Sequence, residues 1–324
     1  MARHENPENT QEKSDAAEPL PATKFSQLYG GLKKSFNVLP FSKDSASAKP
    51  DHITTKRKQH LSSSKARQRS PQHAGEPQEV TSEMQDRPVD HEKMGWVSPS
   101  YQHSRSVKLN PQVLAENRCV GYQPNSPELE YYRMLRTHIL QQTGGRGNTI
   151  MVTSAGAGEG KTLTAINLAF TFAREFKQTA LLVDCDLKNQ QIHERLGFPS
   201  DKGLVDFLMD DAPISDLMVW PSVEKLTIIS GGKTVQDSSE LLGSLGMKNL
   251  VNDMKTRYPE RYVFFDVPPL LTCADSLAFA PLVDYILVVV QAGKTSLHDV
   301  NKALKLLPGE KVLGLVMNRQ QNLV

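Results

Sequence analysis

From about residue 125 onward, the chain alternates two hydrophobic rhythms. Short, nearly unbroken apolar runs at 149–152, 179–183, 226–229, 262–265, 285–290 and 312–317 have the length and β-branched content of strands buried on both faces. Between them, apolar residues recur at helical spacing over 128–142, 163–172, 191–196, 203–209, 239–257, 275–280 and 295–306. In the first of these, Leu129, Tyr132, Leu135 and Ile139 make one stripe. Ser126-Pro127-Glu128 reads as its N-cap, N1 proline and acidic first turn, and Gly144-Gly145 as its stop. Such alternation predicts an α/β fold: a doubly wound, mostly parallel sheet covered by helices on both faces. In such sheets ligands sit at the carboxyl ends of the strands.

The first 110 residues follow neither rhythm. They are rich in Ser, Gln, Pro, Lys, Glu and His, and read as a long, largely disordered region preceding one domain over 111–324. One cluster stands out inside it. Phe25, Leu28, Tyr29, Leu32 and Phe36 fall at helical spacing, with Leu39 after them and Lys24, Lys33 and Lys34 alongside. This is either a short amphipathic helix near 24–39 for a partner or a membrane surface, or a chance cluster in a tail weakened by Gly30-Gly31.

Charge and cysteine content exclude several classes. A net charge of +2 exerts no strong pull on nucleic acid, and the basic residues between Lys24 and Arg69 lack the interleaved aromatics of a single-strand binder. Cys119, Cys185 and Cys273 have no paired spacing and read as free thiols of a reducing compartment. There is neither a signal-peptide h-region nor an apolar run near the roughly 20 residues a bilayer requires. The expected location is cytoplasmic, with any membrane association made through a partner.

The most specific chemistry lies after the first apolar run. Ser154-Ala-Gly-Ala-Gly-Glu-Gly-Lys161-Thr162 joins a predicted strand to a predicted helix. Small residues let backbone N–H groups curl around phosphate oxygens, and the helix start adds positive potential. Lys161 can neutralise the β- and γ-phosphates, and the Thr162 hydroxyl can reach Mg²⁺. Ala155 stands where the pattern usually has glycine.

Two later strands end in acid. One finishes Asp184-Cys-Asp186, the other Asp266-Val-Pro-Pro269. Mg²⁺ takes oxygen ligands and is commonly held by one or two carboxylates plus phosphate oxygens, so Asp184, Asp186 and Asp266 form a metal and base constellation. Asp275 reads as no more than the N-cap of the next helix.

In these motifs the chain from Ser126 to Arg319 resembles the bacterial tyrosine kinases of capsule and exopolysaccharide export, P-loop proteins of the same broad class as the partition and septum-positioning ATPases. The loop 156–162 resembles the family's Walker A, Leu182-Val-Asp184-Cys-Asp186-Leu-Lys188 its second Walker motif, and Phe265-Asp266-Val-Pro-Pro269 its Walker B. Glu130-Tyr-Tyr-Arg133-Met-Leu-Arg136 is similar to its self-association helix, and Gly314-Leu-Val-Met-Asn318-Arg319 to its closing strand. Gly156 stands where partition-type ATPases carry a signature lysine, which makes a partition-like ATPase the weakest alternative.

The resemblance implies an ATP-dependent protein-tyrosine autokinase that regulates polysaccharide polymerisation, chain length or export, with ATP and Mg²⁺ bound. Gly156, Ala157, Gly158, Glu159, Gly160, Lys161, Thr162 and Leu163 would cradle the nucleotide, with Asn318 and Arg319 near the adenine. Thr162, Asp184, Asp186 and Asp266 would hold the metal, and Asp184 would also act as base toward a tyrosine hydroxyl. Glu130, Arg133 and Arg136 would mediate homo-oligomerisation. The implied partner is a membrane-bound chain-length determinant, which would recruit the protein to the inner face of the membrane.

The pattern breaks in places. The family's tyrosine-rich tail has no counterpart after Tyr285, so Tyr29 and Tyr101 become the candidate phosphoacceptors, while Tyr131 and Tyr132 read as packing residues. Val267 replaces the usual Thr, and Lys188 the usual Arg. These departures keep a second class of function open: a nucleotide-switched oligomeric regulator of the membrane partner, with little or no kinase activity.

Overall fold

A computed structural model describes residues 35–37 and 104–320. β1 (Ser35–Asn37) and β2 (Arg105–Ser106) precede α1 (Pro111–Glu116) and α2 (Leu129–Thr143). β3 (Thr149–Ser154) leads into α3 (Lys161–Ala173), and β4 (Thr179–Asp184) into α4 (Ile192–Leu196), α5 (Leu204–Asp210) and α6 (Ile214–Leu217). Then come β5 (Met218–Trp220), β6 (Leu226–Ile229), α7 (Ser238–Leu242), α8 (Leu245–Arg257) and β7 (Arg261–Asp266). The last elements are α9 (Asp275–Phe279), β8 (Tyr285–Gln291), α10 (Leu297–Lys305) and β9 (Val312–Asn318).

The strands form one sheet in the order β1-β9-β8-β3-β7-β4-β6-β5-β2. Every neighbouring pair is parallel except β5 with β6. Parallel central strands need apolar side chains on both faces, and these strands supply them. Met151, Leu181, Val183, Val263, Phe265 and Val288 face one core, under α8 and α10. Ile150, Val152, Leu182, Tyr262, Phe264 and Leu287 face the other, under α2 and α3. There Phe172 of α3 packs on Tyr262 and Phe264, with ring centroids 4.7 and 5.0 Å away.

The chain leaves β3 toward β4 on one side and later returns to β8 on the other. β3 therefore lies at the point where the winding reverses, which places the glycine loop that follows it in the natural ligand crevice.

Three expectations need correction. The helix expected over 239–257 is two helices, α7 and α8, because the Ser244 hydroxyl accepts the Met247 N–H at 3.1 Å and caps a new start. Ser35–Asn37, the end of the amphipathic cluster, is an edge strand beside β9 and not helix. The rest of that cluster, with Tyr29, Tyr101 and most of the expected disordered region, lies outside the described residues. The fold also begins before residue 111: Arg105–Ser106 pairs with β5, and Leu109 is buried in the core. Among the described residues, no helix is long and apolar enough to cross a membrane.

Candidate active site

β3 ends at Ser154, and the loop turns at once. Gly158 and Gly160 adopt left-handed backbones, with φ of 77° and 99°, which other residues reach only under strain. Ala155 needs no such conformation, so its methyl group is tolerated. It is buried, and its carbonyl accepts the Leu271 N–H. Leu270 N–H bonds Ser154 O at 2.8 Å and Val267 N–H bonds Val152 O at 3.0 Å, so the segment after Asp266 is stitched to the glycine loop. The Thr153 hydroxyl adds a bond to Pro268 O.

Lys161, the first residue of α3, turns its ammonium into a nest of acids. Its Nζ lies 2.8 Å from Asp186 Oδ2 and 3.2 Å from Asp266 Oδ1. Burial alone would lower the lysine's pKa, but Asp266, Asp186 and Asp184 outweigh it and raise it. Lys161 also donates to the Thr162 hydroxyl at 3.2 Å.

Asp184, Asp186 and Asp266 meet here as expected, because β4 and β7 are neighbours in register at Asp184 and Asp266. Asp266 is fully buried, and among the described residues no hydrogen-bond partner reaches its Oδ2. Burial pushes its carboxyl up, while Lys161 holds it down. Asp184 is also fully buried. Its Oδ1 accepts the Asp186 N–H and its Oδ2 the Ile192 N–H. Burial and the nearby Asp266 charge push its carboxyl well above the usual range.

An orphaned carboxylate oxygen on Asp266, with Thr162 and Asp186 around the same lysine, fits a cation that also binds phosphate. Among the described residues, no group of three His, Cys, Asp or Glu stands ready to hold a metal by itself. A donor set completed by phosphate oxygens and water is the arrangement Mg²⁺ prefers.

The other predicted positions divide. Asn318 donates from Nδ2 to Glu159 O at 2.8 Å and accepts the Arg319 N–H at Oδ1, so its amide clamps the glycine loop. Arg319 reaches Gln291 Oε1 at 3.3 Å. Leu163 packs against the core of the α3 face. Of the self-association trio, Glu130 and Arg133 pair with each other at 3.1 Å on the exposed face of α2. Arg136 turns inward instead, donating to Thr171 O at 2.8 Å and pairing with Glu175 at 3.6 Å. It ties α2 to the end of α3 within one protomer.

Two groups escaped the sequence reading. Asp275 is not an N-cap: it is the first residue of α9, fully buried, and Ala274 holds the cap position. Asp275 accepts from Lys188 at 3.2 Å and from the Ser238 hydroxyl, tying the loop after β4 to α7 and α9. Burial would raise its pKa, but these donors and Cys273 lower it. Thr295, expected inside a helix, precedes the Ser296 cap of α10 and bonds the glycine loop. The only sequence sign of either was an unspent polar side chain next to a helix start.

This geometry has known counterparts. Residues 147–313 match the family model described as AAA domain. The tyrosine-protein kinase YwqD of Bacillus subtilis (strain 168) is 32% identical over 218 residues, covering 66% of this chain and 89% of that one. The tyrosine-protein kinase CpsD of Streptococcus pneumoniae serotype 4 is 32% identical over 196 residues, covering 59% and 83%. Among solved structures, the chimerical protein CapA2B2 superposes with a TM-score of 0.59 at 27% identity, covering 69% of this chain and 96% of that one. The kinase domain of VpsO gives 0.54 at 27% identity, covering 65% and 97%. With a glycine loop at the switch point, its lysine among strand-end acids, and relatives of this closeness over most of their length, the chain belongs to the bacterial tyrosine-protein kinase family of P-loop enzymes.

Proposed function

We propose that this protein binds Mg-ATP in the loop 155–162 and transfers the γ-phosphoryl group to tyrosine hydroxyls. In this reading it controls the polymerisation, chain length or export of a surface polysaccharide through a membrane-bound partner. The observation that carries the reading is Lys161, held between Asp186 and Asp266 beside the glycine loop. Phosphoryl transfer depends chiefly on positioning and charge neutralisation, and this cluster offers both. When bound, Mg²⁺ would supply positive charge to offset that of the phosphates.

The chain's own residues do the rest. The N–H groups of residues 157–162, at the start of α3, would donate to phosphate oxygens, while that of Gly156 stays on Glu159. Lys161 would neutralise the β- and γ-phosphates, and Asp266, Asp186 and Thr162 would hold the metal. A raised carboxyl pKa at Asp184 suits a proton acceptor for tyrosine, whose hydroxyl ordinarily titrates near pH ~10. Glu130 and Arg133, exposed on α2, are the side chains available for contact with a second copy.

One observation favours the second reading, a nucleotide-switched regulator with little kinase activity. Both Asp184 oxygens already accept backbone N–H groups, so the carboxylate organises its own loop. One experiment separates the two. Purified protein is incubated with Mg-ATP and blotted for phosphotyrosine beside Lys161→Met. A signal that depends on Lys161 supports the kinase; ATP binding without any such signal leaves the regulator.

A further inference from the structure

The glycine loop is braced from outside by a hydrogen-bond relay that starts at the end of β8. Gln291 N–H donates to Thr295 Oγ1 at 2.8 Å. The Thr295 hydroxyl donates to Glu159 Oε1, and Gly156 N–H donates to Glu159 Oε2 at 2.9 Å. Both oxygens of the Glu159 carboxylate are therefore used, one on the loop's own backbone and one on the β8–α10 turn. Glu159 is only 6% exposed, so water offers little substitute for either partner. Its backbone carbonyl is gripped separately by Asn318. The loop is thus fixed at three points that contain no phosphate.

We infer that Thr295 is a positioning residue for nucleotide binding: through Glu159 it holds the glycine loop in the curled form that receives phosphate, so the cost of ordering the loop is met before ligand arrives. The hydroxyl is suited to this because it accepts from one group and donates to the other. Valine has the same shape and does neither. Serine does both. Because Thr295 precedes α10, whose cap is Ser296, its loss leaves the helix start intact. The inference rests on the loop 155–162 being the phosphate site.

The test is calorimetric titration of the full chain with Mg-ATP and, separately, adenosine. Thr295→Val is expected to weaken Mg-ATP binding about tenfold, the scale of one charge-assisted hydrogen bond. Thr295→Ser is expected to stay within about twofold of wild type on the same scale. Adenosine, which brings no phosphate to the loop, is expected to keep its affinity within about twofold in both. A lower melting temperature for Thr295→Val with unaltered Mg-ATP affinity would overturn the inference, because the hydroxyl would then serve stability alone. So would failure of serine to restore binding. Should the valine variant not fold, Thr295→Ala is read in the same way. A wild-type chain that binds no Mg-ATP would instead overturn the phosphate-site reading, and this inference with it.

Discussion

Replacing Lys161 with methionine tests the charge arrangement of the site without any ligand. Its ammonium serves Asp186, whose side chain is 5% exposed, and Asp266, at 0%. Removing one partner from a buried ionic cluster costs about 3–5 kcal/mol, because the remaining charges stay in a poorly solvating interior. At about 2–4 °C per kcal/mol for a fold of this size, the melting temperature at pH 8 is expected to fall by about 10 °C. The carboxylates have one way to relax, which is to take up protons, and this fixes the sign of the pH dependence. Burial already raises the folded pKa of Asp266 and Asp184 above the unfolded value, and Lys161 opposes the rise. A carboxyl raised on folding binds its proton first in the folded state, so its penalty is felt above the folded pKa and relieved as pH falls. Without Lys161 the rise is larger. The deficit of the variant should therefore shrink between pH 8 and pH 5, by at most about 1.4 kcal/mol per pH unit for each proton fully taken up. Scanning calorimetry of the nucleotide-free proteins across that range measures it. A variant as stable as wild type at pH 8, or a deficit constant down to pH 5, would refute the idea that the lysine neutralises this cluster.

Three other side-chain perturbations have definite expected outcomes. Arg136→Ala should lower stability by about 1–2 kcal/mol, seen as a reduced urea midpoint in dilute protein, because it removes a half-buried bond to Thr171 O and the Glu175 pair. Arg133→Ala, on the exposed face, should change the unfolding free energy by no more than about 0.5 kcal/mol and, if α2 mediates self-association, change the sedimentation profile instead. Titration with a thiol reagent at pH 8 should label Cys273 in the native protein and reach Cys119 and Cys185 only in denaturant. Cys119 and Cys185 are fully buried, and desolvation lifts the Cys119 thiol to about 12.

The central strands and the loop between β3 and α3 were legible because their information is local. A run such as 262–265 is apolar at every position only if both of its faces are covered, and the prolines after Asp266 fix where it stops. The last two strands at one side of the sheet were not legible. Met218–Trp220 and Arg105–Ser106 have three and two residues, too few for a periodic pattern to show, although Val219 is buried in the core. Ser244 carried the signature of a cap, but it lay inside a longer helical rhythm that masked it.

Polar residues divide on the same principle. Lys161, Asp184 and Asp266 could be read because each sits at a fixed place relative to a strand end, and the sheet brings those ends together. Arg136, Asp275 and Thr295 could not, since their roles depend on partners 35, 37 and 136 positions away along the chain. Spacing reports which face a residue occupies; it carries no record of what the neighbouring element presents there. On the same helical face, Arg133 remains in solvent and Arg136 is captured by the last turn of α3. A motif read as one interface thus contains one residue that holds its own protomer together. That residue anchors α2 to the last turn of the helix that begins at Lys161, so its loss would loosen the packing of the two helices rather than a surface.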